Sequence, residues 1–289
     1  MVPDREQFVA LPGGRLWTAR SGAGVPLLLC HGGPGGYDEL GTLAALIDDL
    51  AEVHRVDQRG GGRSSGDGPW TIDALVSDIE ALRLHWGHNR WLVAGHSWGA
   101  HLGLFYALAH PDRTLGLVML NGPGIRWGWG PERRARRLPR LTASERAEVE
   151  ALERELSGPG AARARERLRD LWWLTDFADR TNATRSPRPR DYLADPAVAD
   201  SLERDWEHAL DGIDARLARL TTPTLVLHGA ADPIGEAGPR ELAGLLPRAE
   251  FVLLPGVGHV PWLERSDELR RELRAFVTAH TASATRSTG

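Results

Sequence analysis

The chain has 289 residues, 42% of them hydrophobic and 26% charged, the balance of a soluble globular protein that can bury a large core. A formal net charge of −4, with every one of the 35 basic residues an arginine, gives no reason to expect nucleic acid or an anionic membrane as partner. One cysteine, Cys30, excludes an intramolecular disulfide framework and cannot build a metal cluster alone; its place in the run Val25–Cys30 reads as a small hydrophobe on a buried strand.

The opening Met1-Val2-Pro3-Asp4-Arg5-Glu6 lacks the basic and apolar regions of a signal peptide, and no apolar run approaches the ~20 residues that span a bilayer. The expectation is a cytoplasmic protein. In chain order, Val25–Cys30, Glu52–Asp57, Trp91–Ala94 and Leu115–Leu120 read as strands. The stretches Leu40–Leu50, Thr71–Trp86 and Trp98–Ala109 read as helices between them. Continuous apolar strands separated by helices predict an α/β fold, a mostly parallel sheet covered on both faces. Gly-rich turns follow three of these strands, at 32–36, 60–62 and 121–124, where an open α/β sheet binds its ligands.

From about residue 125 to 220 the texture changes to Arg, Glu and Ala, with helical patterns at Ala143–Leu156 and Ala161–Trp173 and a loop at Thr181–Arg190. Strands return at Thr224–His228 and Glu250–Leu254, followed by a helix near Glu264–Thr278. The organisation expected is a core in two parts, 1–124 and 221–280, a helical lid over 125–220, and a flexible tail, 281–289.

The chemistry concentrates in Gly95-His96-Ser97-Trp98-Gly99, a Gly-x-Ser-x-Gly between an apolar strand and a helical pattern. That context makes a strained strand-to-helix turn that exposes the serine hydroxyl at the sheet end. A serine needs a base, and the fold expects Ser, then Asp or Glu, then His along the chain. Asp232 and His259 follow in that order, each in a Gly-containing loop after a strand. The expected triad is Ser97, Asp232 and His259. Backbone N–H groups of Trp98, after the nucleophile, and Gly33, in the loop after the first core strand, are the expected oxyanion donors.

Three motifs, His31-Gly32-Gly33-Pro34-Gly35, Asp57-Gln58-Arg59-Gly60-Gly61-Gly62-Arg63-Ser64 and Gly95-His96-Ser97-Trp98-Gly99, resemble the proline iminopeptidase group of α/β-hydrolases. The likeness covers roughly residues 8–123 and 221–279. It implies release of an N-terminal proline or similar residue from short peptides or amides, with Asp57 and Arg59 buttressing the site. Two departures stand out. His96 replaces the glycine more usual there, and the lid does not match the group's.

The group uses lid carboxylates to hold the substrate's amine, and Glu203 and Glu207, four apart on one helix face, are the candidates by type. The indoles of Trp127, Trp173 and Trp206 are candidate substrate contacts, against the plainer reading that they fasten the lid. Trp129 and Trp172 add to this indole-rich lid. The alternatives are an esterase, lactonase or thioesterase on a small apolar substrate, or a non-catalytic binder on the same fold. Neither a cofactor nor a metal is expected, and the partner is a small molecule or short peptide. The sequence leaves the oligomeric state open.

Overall fold

The computed structural model describes residues 5–126, 129–186, 188 and 195–281. Short runs rich in Val and Leu, the central ones buried on both faces, form the strands of one sheet. They are β1 (Arg5–Leu11), β2 (Gly14–Gly22), β3 (Val25–Cys30), β4 (Ala51–Val56), β5 (Trp91–His96), β6 (Thr114–Leu120), β7 (Thr224–Gly229) and β8 (Ala249–Leu254). The order is β1-β2-β4-β3-β5-β6-β7-β8. The hairpin β1–β2 is antiparallel and pairs antiparallel with β4; every later neighbour pair is parallel.

Helices α1 (Gly41–Ala44), α2 (Ile72–His85) and α3 (Trp98–Ala109) connect the first strands. Between β6 and β7 lie α4 (Trp129–Arg137), α5 (Ala143–Glu155), α6 (Ala161–Thr175), α7 (Arg180–Arg185), α8 (Pro196–Ala209) and α9 (Ile213–Leu217). The chain closes with α10 (Ala237–Leu245), α11 (Pro261–Glu264) and α12 (Ser266–Thr281).

Two apolar layers sandwich the sheet. Leu28, Val93 and Leu117 face Ile79, Leu102 and Leu104 on one side, whereas Leu29, Leu92 and Val118 face Leu43, Leu273 and Phe276 on the other. The helical insert borrows from both layers. Val198, Leu202 and Trp206 of α8 join the first cluster and Phe177 and Ala183 the second, leaving only a small cluster of its own around Leu141, Val149, Leu168 and Leu171. Asp205 also accepts from the Ile72 N–H at 2.7 Å, satisfying a donor at the start of α2.

Two local expectations change, and one hairpin is added to them. The helix over Leu40–Leu50 shortens to α1, because Leu46, Ile47 and Leu50 bond three residues back in turns that deliver the chain to β4. The loop over Thr181–Arg190 begins with α7 instead, started by the Asp179 side chain accepting from the Thr181 N–H at 2.8 Å. The β1–β2 hairpin carries no apolar run long enough to mark it in the sequence.

Candidate active site

Ser97 lies between β5 and α3 with φ 55° and ψ −120°. Among the described residues only it and Asn121 reach positive φ without being glycine. Such a backbone is strained for a side chain and persists only where the surroundings fix it. The flanking glycines do that by close approach. A Cβ on Gly95 would stand 2.0 Å from the Gly99 carbonyl oxygen, and one on Gly99 would stand 2.2 Å from that of Cys30. The turn therefore packs onto β3, and Ser97 is pushed to the carboxyl end of the sheet. Trp98 opens α3, so its N–H has no acceptor within the helix.

The residues expected to work together do converge. His259 Nδ1 lies 2.7 Å from Asp232 Oδ2, and both side chains are almost wholly buried. Asp232 also accepts from Asn121 Nδ2 at 2.8 Å and from the Ile234 N–H at 2.8 Å. Burial pushes the Asp232 carboxyl up, but the His259 imidazole and these hydrogen bonds outweigh it and hold the group well below the usual carboxylate range. Ser97, His259, Gly32, Gly33 and His96 line one cavity of about 220 Å³.

Gln58 ties the two expected oxyanion segments together. Its side chain donates to the His31 carbonyl at 2.9 Å and accepts from Trp98 Nε1 at 3.0 Å, while its N–H reaches His31 Nε2 at 3.1 Å. His31 Nδ1 donates to the Gly32 carbonyl at 2.6 Å, which leaves Nε2 free to accept. Asp57 accepts from the Asp38 N–H at 2.6 Å and from Arg63 Nε at 2.6 Å; Arg59 pairs with Asp78 and donates to Pro12 and Gly13 carbonyls. Both are clear of the cavity.

His96 Nε2 donates to the His259 carbonyl at 2.8 Å, so Nδ1 is the acceptor of this imidazole. Burial first, then the neighbouring His259, pulls its pKa down to about 3. The His259 loop is held from the insert as well. The His259 N–H donates to the Asp176 carbonyl at 2.5 Å, and Glu264 accepts from Gly258 at 2.6 Å and Ala178 at 2.8 Å.

The insert's contribution differs from the sequence reading. Glu203 and Glu207 do share one face, but it is the exposed one, around a surface depression with Asp200 and Arg204. Helix α8 commits Val198, Leu202 and Trp206, spaced by four, to the core, so the residues one step later point away. Trp206 is buried against His101, Phe105 and Trp98, with ring centroids 4.6, 5.6 and 6.0 Å away, and does not line the cavity. Trp173 does line it, anchored through Nε1 to the Ser186 carbonyl at 2.8 Å. Trp127 lies outside the described residues.

The charged groups that line the cavity are Glu39, Asp176, Arg133, Arg169 and Arg188. Asp176 pairs with Arg137 and, at 3.5 Å, Arg133. Burial, then Asp38 and Asp176, pushes the Glu39 carboxyl up to about 7, with Arg188 opposing. Burial and Arg137 lower Arg133 to about 10, so it stays charged at neutral pH. None of these five has a motif in the sequence. Gln58 and Asn121 sat inside stretches read as a buttress and a turn, so their place at strand ends was the available signal.

The α/β-hydrolase fold family model matches residues 25–266. The chain is 30% identical over 269 residues to the probable proline iminopeptidase of Leptolyngbya boryana, covering 82% of this chain and 81% of that protein. It is 42% identical over 100 residues to the proline iminopeptidase of Neisseria gonorrhoeae, a match that covers 33% of this chain and spans only 32% of that relative's length. The crystal structure of proline iminopeptidase from Mycobacterium smegmatis superposes with a TM-score of 0.72 at 24% identity, over 97% of this chain and 100% of that one, a likeness of fold. The chain belongs to the α/β-hydrolase fold family, is proline iminopeptidase-like within it, and is a hydrolase.

Proposed function

We propose that the protein is a serine hydrolase that works through an acyl-enzyme and releases the N-terminal residue of small peptides or amides. The observation that carries this is the strained Ser97 on its elbow, lining one cavity with a His259 whose Nδ1 is 2.7 Å from Asp232. Ser97 Oγ attacks the carbonyl as His259 Nε2 takes its proton. Asp232 holds the imidazole with Nδ1–H toward itself and stabilises the imidazolium. The N–H groups of Gly33 and Trp98 receive the oxyanion. His259 then protonates the leaving amine, and water repeats the sequence on the acyl-enzyme.

The substrate's ammonium needs a carboxylate partner inside the cavity. Glu39 takes that role in place of Glu203 and Glu207, because Asp176 is already engaged by Arg137 and Arg133. A second reading keeps the triad and changes the substrate to an ester of an acidic acyl group. The arginine excess in the same cavity favours it: Arg133, Arg169 and Arg188 line it, each also paired with a carboxylate, Asp176 for Arg133, Glu166 for Arg169, and Glu166 and Asp170 for Arg188.

The test compares prolyl and alanyl naphthylamides with a neutral acyl ester and a hemisuccinate ester. Ser97→Ala should lower every turnover on the order of 10⁶-fold; unchanged turnover would remove the serine mechanism. Selective cleavage of the free-amine amides, with KM raised by Glu39→Gln, supports the aminopeptidase reading. Preference for the hemisuccinate, with KM indifferent to Glu39→Gln, transfers the assignment to the ester.

A further inference from the structure

The end of the sheet opposite Ser97 carries a second chemical cluster. Glu52 and His54 are two apart on β4 and so face the same way, and His88 comes from the connection between α2 and β5. His54 Nε2 and His88 Nε2 are 3.0 Å apart, and Glu52 Oε2 is 3.4 Å from the first and 3.7 Å from the second. Ligand atoms about 2.0–2.1 Å from a tetrahedral zinc ion stand roughly 3.3–3.4 Å from one another. These three edges bracket that length. Among the described residues, no other trio of His, Cys, Asp or Glu side chains draws its ligand atoms together within 4.8 Å.

The cluster is held in place before any ion arrives. Arg20 pairs with Glu52 Oε1 at 3.0 Å and so turns Oε2 toward the histidines. Arg83 holds the His88 and Asn89 carbonyls, and the Trp86 ring lies against His54 with centroids 4.2 Å apart. The Glu52 and His88 side chains keep 24% and 16% exposure, an entry path and room for water.

We propose that Glu52, His54 and His88 form a binding site for one Zn²⁺ ion, completed by water, that staples β4 to the α2–β5 connection. Two imidazoles and one carboxylate suit zinc over magnesium or calcium. The buried His54 Nδ1 has no hydrogen-bond partner, so the site lacks the support that stands behind the histidines of tight zinc sites. Its place at the end of the sheet opposite Ser97 makes it a structural site, independent of the hydrolase reading.

The experiment uses untagged protein, stripped with EDTA, exchanged into chelator-free buffer and titrated with ZnCl₂ by calorimetry, alongside thermal melts with and without zinc. His259→Ala serves as control for zinc captured at the active site. One equivalent should bind to wild type and to His259→Ala and raise both melting temperatures. His88→Ala should bind at least tenfold more weakly and gain nothing on melting, with its hydrolytic turnover unchanged. Should His88→Ala not fold, Glu52→Gln provides the same comparison. The proposal is overturned by a wild type that binds no zinc, by binding that survives in the cluster variant, or by binding that disappears in His259→Ala.

Discussion

Gln58 touches neither the expected nucleophile nor the expected base, yet its amide joins the His31 carbonyl to the Trp98 indole and so spans both segments proposed to offer oxyanion donors. Replacing it with Leu keeps the volume and removes both bonds, leaving two buried partners unsatisfied at about 1–3 kcal/mol each. The donors would then sit less well on the transition state than on the ground state. We expect Gln58→Leu to lower kcat by roughly 10- to 100-fold with KM nearly unchanged. A proportional rise in KM with intact kcat would show that Gln58 serves binding instead. Asn121 plays a similar part beside Asp232, donating to both that carboxylate and the Gly258 carbonyl from a left-handed backbone.

At the scale of elements, α8 divides its duties by face. Trp206 is almost fully buried against α3, so Trp206→Ala should cost about 3–5 kcal/mol of stability by leaving a large void beneath the insert. Glu203→Gln and Glu207→Gln should change stability by less than about 0.5 kcal/mol and leave KM for free-amine substrates where it was. Chemical denaturation and steady-state kinetics on the three variants check this. A selective KM effect at either glutamate would mean that α8 turns inward during turnover. The His259 loop depends on a different part of the insert. There the Asp176 carbonyl takes the His259 N–H and Glu264 gathers Gly258 and Ala178, so the position of His259 is set jointly by core and insert.

For the whole molecule, the buried histidines set the acid limit. Burial lowers His54 and His96 to about 3 and His101 to about 4, so the unfolded chain takes up protons near pH 6.5 that the native state refuses. Stability from these groups is complete above pH 6.5 and is lost as the pH falls. By pH 5 each costs up to about 2 kcal/mol. Asp38 and Glu39 act in the opposite sense, because their raised values of about 6 and 7 favour the protonated native state on acidification, returning together about 4 kcal/mol. The histidines win, aided by His31 and His228, which burial lowers as well. Melting temperature should therefore fall steadily from pH 7 to pH 5; a flat or rising profile would contradict the assignment of neutral, buried imidazoles. Among the described residues no helix is long and apolar enough to cross a membrane.

What the sequence determined by itself was the parallel sheet and the three positions at its carboxyl end. Short apolar runs, their Gly-rich exits and the order Ser97, Asp232, His259 are local patterns, and local patterns survive in one dimension. The helical texture between β6 and β7 was legible for the same reason. What faces the cavity was not. Helical spacing grouped Glu203 with Glu207 correctly but could not say which side of α8 meets the core, since that depends on Trp206 finding His101 and Phe105 about 100 residues away. Glu39, Asp176 and the three cavity arginines come from segments far apart in the chain, as do Glu52 and His88 at the opposite end of the sheet. Their meeting is decided by how the insert packs and how the strands are ordered, through burial and long-range contact that no window of residues contains.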